Sequence, residues 1–169
     1  MSQSAGSGLR PGAMEGVPSG AKWLGLAGLL PFAAAALGAV ALAPEAGGTH
    51  AEQALLAYGA LILSFMGGCR WGFAAAGMGD EDCARQATLR YAVSVLPALY
   101  AWPLLALPAG ADGGVSGMRL GLLALGFLAL LAADLALVRA QGAPAWWPAL
   151  RWPLSLGAAG ALLVAALFG

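Results

Sequence analysis

The sequence predicts an all-α fold, an integral membrane bundle of five transmembrane helices. Three observations predict it. Of 169 residues, 60% are hydrophobic and 9% charged, whereas a soluble domain carries about 25% charged residues to face water. The apolar residues gather in five long stretches, and a spanning helix needs about 20 such residues to cross a hydrocarbon core about 30 Å thick. None of the stretches is a short alternating strand of the kind a membrane β-barrel requires. Backbone polar groups in lipid must be paired within their own segment, so continuous apolar runs of this length read as helices.

The first stretch is Trp23–Ala43, bounded by Pro44-Glu45. Its polar leader is long and its apolar run exceeds the usual 7–15 residues of a signal peptide, so a retained helix is expected. The second, Ala54–Met78, ends at Gly79-Asp80-Glu81-Asp82. The third, Thr88–Leu107, contains Pro97 and Pro103, and Pro97 removes a backbone donor, which predicts a helix kink there. The fourth is Met118–Val138, and the fifth and shortest is Trp152–Phe168. Ahead of them, Met1–Ala21 is rich in Gly and Ser without apolar period and reads as a disordered tail, leaving 22–169 as one five-helix domain.

Five spans put the two ends of the chain on opposite sides. Arg10, Lys22, Arg85, Arg90, Arg139 and Arg151 fall on the N-terminal side, against Arg119 alone on the other. Short loops rich in Lys and Arg stay cytoplasmic. The N-terminus is therefore expected in the cytoplasm and the C-terminus in the periplasm of a bacterial inner membrane, or the equivalent sides of a mitochondrial inner membrane in a eukaryote. Trp146, Trp147 and Trp152 cluster with Arg151 where the fifth span begins, and they read as interfacial anchors.

Two charges stand well inside the spans, Arg70 in the second and Asp134 in the fourth. An ionisable side chain at mid-membrane costs at least about 2.5–3.5 kcal/mol and calls for compensation. Both lie about 24 Å from the exoplasmic start of their spans at helical rise. Adjacency of these two spans, with a structural ion pair between Arg70 and Asp134, is one reading. Snorkelling of Arg70 to the interface, with Asp134 meeting water or Arg139, is the other. On the second span, Ser64, Gly67, Gly68, Trp71 and Gly72 share a broad face, and Ser64, Gly68 and Gly72 form a small-residue ladder suited to close helix packing.

Other chemistry is thin. Eight basic residues balance eight acidic ones, which speaks against a nucleic-acid partner. Cys69 and Cys83 are too far apart for a CxxC site, His50 is the only histidine, and Asp80, Glu81 and Asp82 read as loop solubilisers. No metal, cofactor or catalytic residue is expected, because no nucleophile, metal or nucleotide motif is present.

Several segments carry a resemblance. Trp23-Leu24-Gly25-Leu26-Ala27-Gly28-Leu29-Leu30-Pro31-Phe32, Tyr58-Gly59-Ala60, and above all Gly67-Gly68-Cys69-Arg70-Trp71-Gly72 resemble a domain-of-unknown-function family of multi-pass membrane proteins, the one that includes transmembrane protein 69. Ser94-Val95-Leu96-Pro97, Asp134, Pro144-Ala145-Trp146-Trp147 and Leu150-Arg151 resemble it too. The resemblance implies a multi-pass protein of bacterial or mitochondrial membranes and transfers no activity.

Three functions remain in view. The first is a non-enzymatic accessory, assembly or scaffolding component of the inner membrane, with the lipid bilayer around it and a protein partner or second copy on the Gly/Ser face of the second span. The second is a small oligomeric transporter or channel with Arg70 and Asp134 in a polar cavity. The third is an intramembrane enzyme that binds a lipid headgroup, and it lacks an evident acid, base or nucleophile.

Overall fold

The computed structural model describes residues 16–43, 45–77, 84–108 and 115–169. The loop acids Asp80, Glu81 and Asp82, together with Cys83 and most of the expected tail, lie outside these residues. The described chain forms α1 (Ser19–Ala27), α2 (Leu29–Ala41), α3 (Ala46–Ala75), α4 (Ala84–Ala106), α5 (Gly117–Arg139) and α6 (Trp147–Phe168). Together α1 and α2 make the first of five segments long and apolar enough to span a membrane.

The bounds differ from the expected ones for physical reasons. Helix α1 begins at Ser19, inside the stretch expected to be tail. Helices α1 and α2 meet at Gly28, whose backbone stays in the right-handed helical region at φ −62° and ψ −16°, just ahead of Pro31, whose missing N–H removes the bond to the Ala27 carbonyl. The Tyr58 hydroxyl donates to the Gly28 carbonyl at 2.9 Å, which satisfies a group at this junction. By contrast α4 runs without interruption through Pro97 and Pro103. Helix α3 starts at Ala46 rather than Ala54, because hydropathy marks where a helix enters lipid and not where it begins. Its polar first turns hold together locally, with Thr49 donating to the Ala46 carbonyl at 2.9 Å. Helix α6 starts at Trp147, since Pro148 in a first turn costs no hydrogen bond.

The core is a four-helix arrangement. Helix α5 packs along α6, α2 fits between α3 and α6, and α3 also meets α5. Helix α4 lies on the outside, mainly against α3. Phe32, Leu55, Leu63, Leu123, Phe127 and Leu162 fill the centre, with Phe32 edge-on to Tyr58 and Phe127 at centroid distances of 5.0 and 5.7 Å. At the expected exoplasmic end, Arg119 is buried and caps α4. Its Nε donates to the Leu104 carbonyl at 2.9 Å, its Nη2 donates to the same oxygen, and its Nη1 reaches the Pro108 carbonyl at 3.3 Å. A cation at the last carbonyls of a helix is well placed for the dipole. Beside it, Glu52 accepts the Val115 N–H at 2.9 Å.

At the other end, α5 closes in a Schellman turn. The Gly142 N–H bonds the Leu137 carbonyl at 2.9 Å and the Gln141 N–H bonds that of Val138 at 3.0 Å, with Gln141 left-handed at φ 56°. This turn sends the chain back so that the first turn of α6 lies beside the last turns of α5.

Gly67 and Gly68 are neighbours with opposite surroundings. A Cβ at Gly67 would collide with the Ser94 carbonyl of α4 and press on the Pro97 ring, whereas one at Gly68 would meet nothing within 4 Å. Gly67→Ala should therefore lose about 1–3 kcal/mol by forcing α3 from α4. Gly68→Ala should be neutral or gain up to about 1 kcal/mol through helix propensity. Thermal unfolding of the two variants in detergent micelles measures the contrast.

Candidate functional site

Asp134 sits on the inward face of α5, one turn beyond the buried Leu130 and Leu131, and is 1% exposed. Two guanidinium groups converge on its carboxylate from different helices. Arg70 of α3 donates from Nη1 to Oδ1 at 2.6 Å. Arg151 of α6 brings Nε to 2.6 Å from Oδ2. The second approach is an ion pair without hydrogen-bond alignment, so Oδ2, Nε and Nη2 lack a hydrogen-bond partner among the described residues. The structure thus places Arg70 and Asp134 in contact and adds a third member that sequence reasoning assigned elsewhere.

Arg151 is not an interfacial anchor, and neither is Trp147. Both are buried, and Arg151 holds its guanidinium carbon 5.9 Å from the Trp147 ring centroid. The indole is further enclosed by Phe73 edge-on at 4.9 Å and by Trp146 at 5.8 Å. Trp146 is half-buried against it, and only Trp152 of the four expected anchors is exposed. A signal for this was present. Trp147, Arg151, Ser155, Ala158 and Leu162 recur at three- and four-residue spacing and form the inward stripe of α6. The charge at Arg151 masks the stripe, because an arginine amid tryptophans looks like a helix end. Trp147 Nε1 and Ser155 Oγ, both buried, also lack hydrogen-bond partners among the described residues.

The expected packing face of α3 divides in two. Gly67 takes α4 at close range, and Trp71 stacks at a tilt on Tyr91 of α4 with centroids 4.7 Å apart. Gly68 and Gly72 face open space instead, and Ser64 turns its hydroxyl back to the Ala60 carbonyl at 2.8 Å. Ser64, Gly68 and Gly72 therefore do not form a continuous ladder against a neighbouring helix of the same chain. Pro97 contributes its ring to the Gly67 contact.

Apolar cavities flank the charged trio. One of about 340 Å³ lies between α1–α2, α3 and α6, with Arg151 and Cys69 in its wall. Another of about 320 Å³ lies between α3, α4 and α5, with Arg70 in its wall. Among the described residues no group of three or more His, Cys, Asp or Glu side chains could hold a metal ion. The carboxylate is engaged by two cations, which leaves it poorly placed to abstract a proton from a substrate.

The chain matches the family model described as protein of unknown function, DUF3429, over residues 17–167, and it belongs to that family. It is 38% identical over 141 residues to transmembrane protein 69 of Xenopus tropicalis, covering 82% of this chain and 50% of that protein. The chain thus spans about half the length of this curated relative. No solved structure matches it.

Removing one partner of a buried ion pair is expected to cost about 3–5 kcal/mol, since it strands the other. Asp134→Ala should therefore be the most damaging single change in the trio, because it strands two cations. Arg70→Ala and Arg151→Ala should each cost less, and the double variant should cost more than either, as Asp134 is then bare. The triple variant Arg70→Met, Asp134→Leu, Arg151→Met should recover most of the lost stability. Unfolding of the series in detergent, followed by circular dichroism, gives the order.

Proposed function

We propose that the protein is a non-enzymatic accessory or scaffolding component of the inner membrane that holds a second membrane chain against the outer face of α3. The observation that carries this reading is the open space at Gly68 and Gly72, where an added Cβ would meet nothing within 4 Å. Gly67 and Gly117 are already used for close approach within the chain, whereas Gly121 and Gly160 also face open space but stand singly on α5 and α6. Two glycines one turn apart let a partner backbone come near enough for dispersion contacts that lipid tails do not match. Leu61 and Phe65 lie exposed on the same side of α3.

The transporter reading has less support. Its motive was a polar cavity around Arg70 and Asp134, but these groups engage each other and the adjoining cavities are lined mainly by apolar side chains. The enzymatic reading has one free thiol beside the trio, Cys69, but no base among the described residues there to activate it. Lys22, Arg85, Arg90 and Arg139 still favour a cytoplasmic N-terminus. Arg151 no longer counts toward that bias, as it is buried within the bundle.

The test is cross-linking in native membranes, with photoreactive groups placed on α3, for the wild type and for Gly68→Leu/Gly72→Leu. The wild type should yield a discrete adduct, either to another membrane protein or to a second copy. The double variant should fold normally and lose the adduct. A wild type that remains monomeric and free of adducts refutes the reading.

A further inference from the structure

The cavity beside α1 has a polar end and an apolar body. Phe32, Ile62, Phe127 and Leu154 are among the residues of the body, while Arg151 and Trp147 stand in the wall. Its volume of about 340 Å³ falls within the range of about 300–1,000 Å³ common to ligand sites. Leu24 and Phe65, also in its wall, are 77% and 63% exposed, so the cavity opens sideways between α1 and α3 to the lipid phase.

The polar end holds more donors than acceptors. Arg151 is 1% exposed and its Nε faces Asp134 Oδ2 at 2.6 Å, but its Nη2 lacks a hydrogen-bond partner among the described residues, as does Nε1 of the buried Trp147. Guanidinium and indole nitrogens can only donate, so what completes them must be an acceptor. Within the trio, two cations face one carboxylate, and the positive charge left over favours an anion. The 340 Å³ has room for about a dozen groups of water size, each about 30 Å³. That suits one alkyl chain and not the paired tails of a bilayer phospholipid. Arg151 and Trp147 belong to the first turns of α6, whereas Ala158 and Phe127 line the cavity deeper along their helices. A bound chain would therefore lie with its head near the membrane surface and its tail toward the centre, the register of a leaflet lipid.

We propose that this cavity binds a single-chain amphiphile, its anionic oxygen headgroup held by Arg151 and Trp147 and its alkyl chain seated against Phe32, Ile62 and Phe127. The headgroup chemistry is shared by free fatty acids and by single-chain phosphates. The cavity of similar size beside α4 lacks this feature. Its arginine, Arg70, already donates to Asp134, and none of its wall residues is among the buried side chains left without a partner.

The test is equilibrium binding of radiolabelled dodecanoate, dodecyl phosphate and dodecan-1-ol to the full chain in phosphatidylcholine nanodiscs, with protein-free discs as background. One of the two anions should bind saturably at one per chain, at least tenfold tighter than the alcohol, and the tighter anion identifies the source. Trp147→Phe keeps the ring and removes the donor, and it should weaken the anion about tenfold. Leu154→Trp fills the cavity and should abolish binding, with circular dichroism showing both variants folded. Absence of saturable anion binding, equal binding of the alcohol, or wild-type affinity in both folded variants overturns the proposal. The outcome is independent of cross-linking at Gly68 and Gly72, so the two readings fail separately.

Discussion

One carboxylate held between two guanidinium groups organises this bundle. Asp134 contacts Arg70 of α3 and Arg151 of α6 while both of its neighbours and the acid itself are largely withdrawn from the surface. In a hydrocarbon surround, apolar helices gain little by facing one another, because lipid tails are as apolar as leucine. Dispersion alone sets no unique rotation for each helix. A buried acid with two cations does, since each charge left unpaired costs several kcal/mol. The azimuth of α3, α5 and α6 is therefore fixed at one level, and α2 fills the remaining side through Phe32 against Tyr58 and Phe127.

Small residues adjust the distances that the charges leave free. Gly67 lets α4 reach α3, and Gly117 admits the Ala166 carbonyl of α6 close to the start of α5. Arg119 and Glu52 tie down the opposite end through backbone groups of the α4–α5 connection. The protein thus has charged fastenings near both ends and an apolar middle. Helix α4 is held chiefly by one neighbour, which is consistent with its largely exposed apolar surface.

Much of this is legible in the sequence, and the exceptions have physical causes. Five spans follow from apolar run length alone, a constraint lipid imposes without reference to tertiary structure. Arg70 and Asp134 stand out because each interrupts an apolar run. Arg151 does not, because it follows tryptophans and prolines that imitate an interface, and only the inward stripe of α6 reveals its side. The same limit applies to Gly67 and Gly68. A helical wheel places both on one broad face, and the difference between contact and open space depends on where α4 lies. Pro31 lies just past Gly28, where α1 and α2 meet, and Pro97, where the sequence predicts a bend, sits within one continuous helix with its ring beside Gly67. The early start of α3 escapes a hydropathy reading because helix formation by Ala, Glu and Gln needs no lipid.

The burial of Arg151 also makes the last two helices a single unit. The counter-charge that lets this arginine leave water belongs to α5, so α6 cannot hold its inward stripe against lipid by itself. The Schellman turn at Gln141 keeps the two helices side by side at the end where that contact forms.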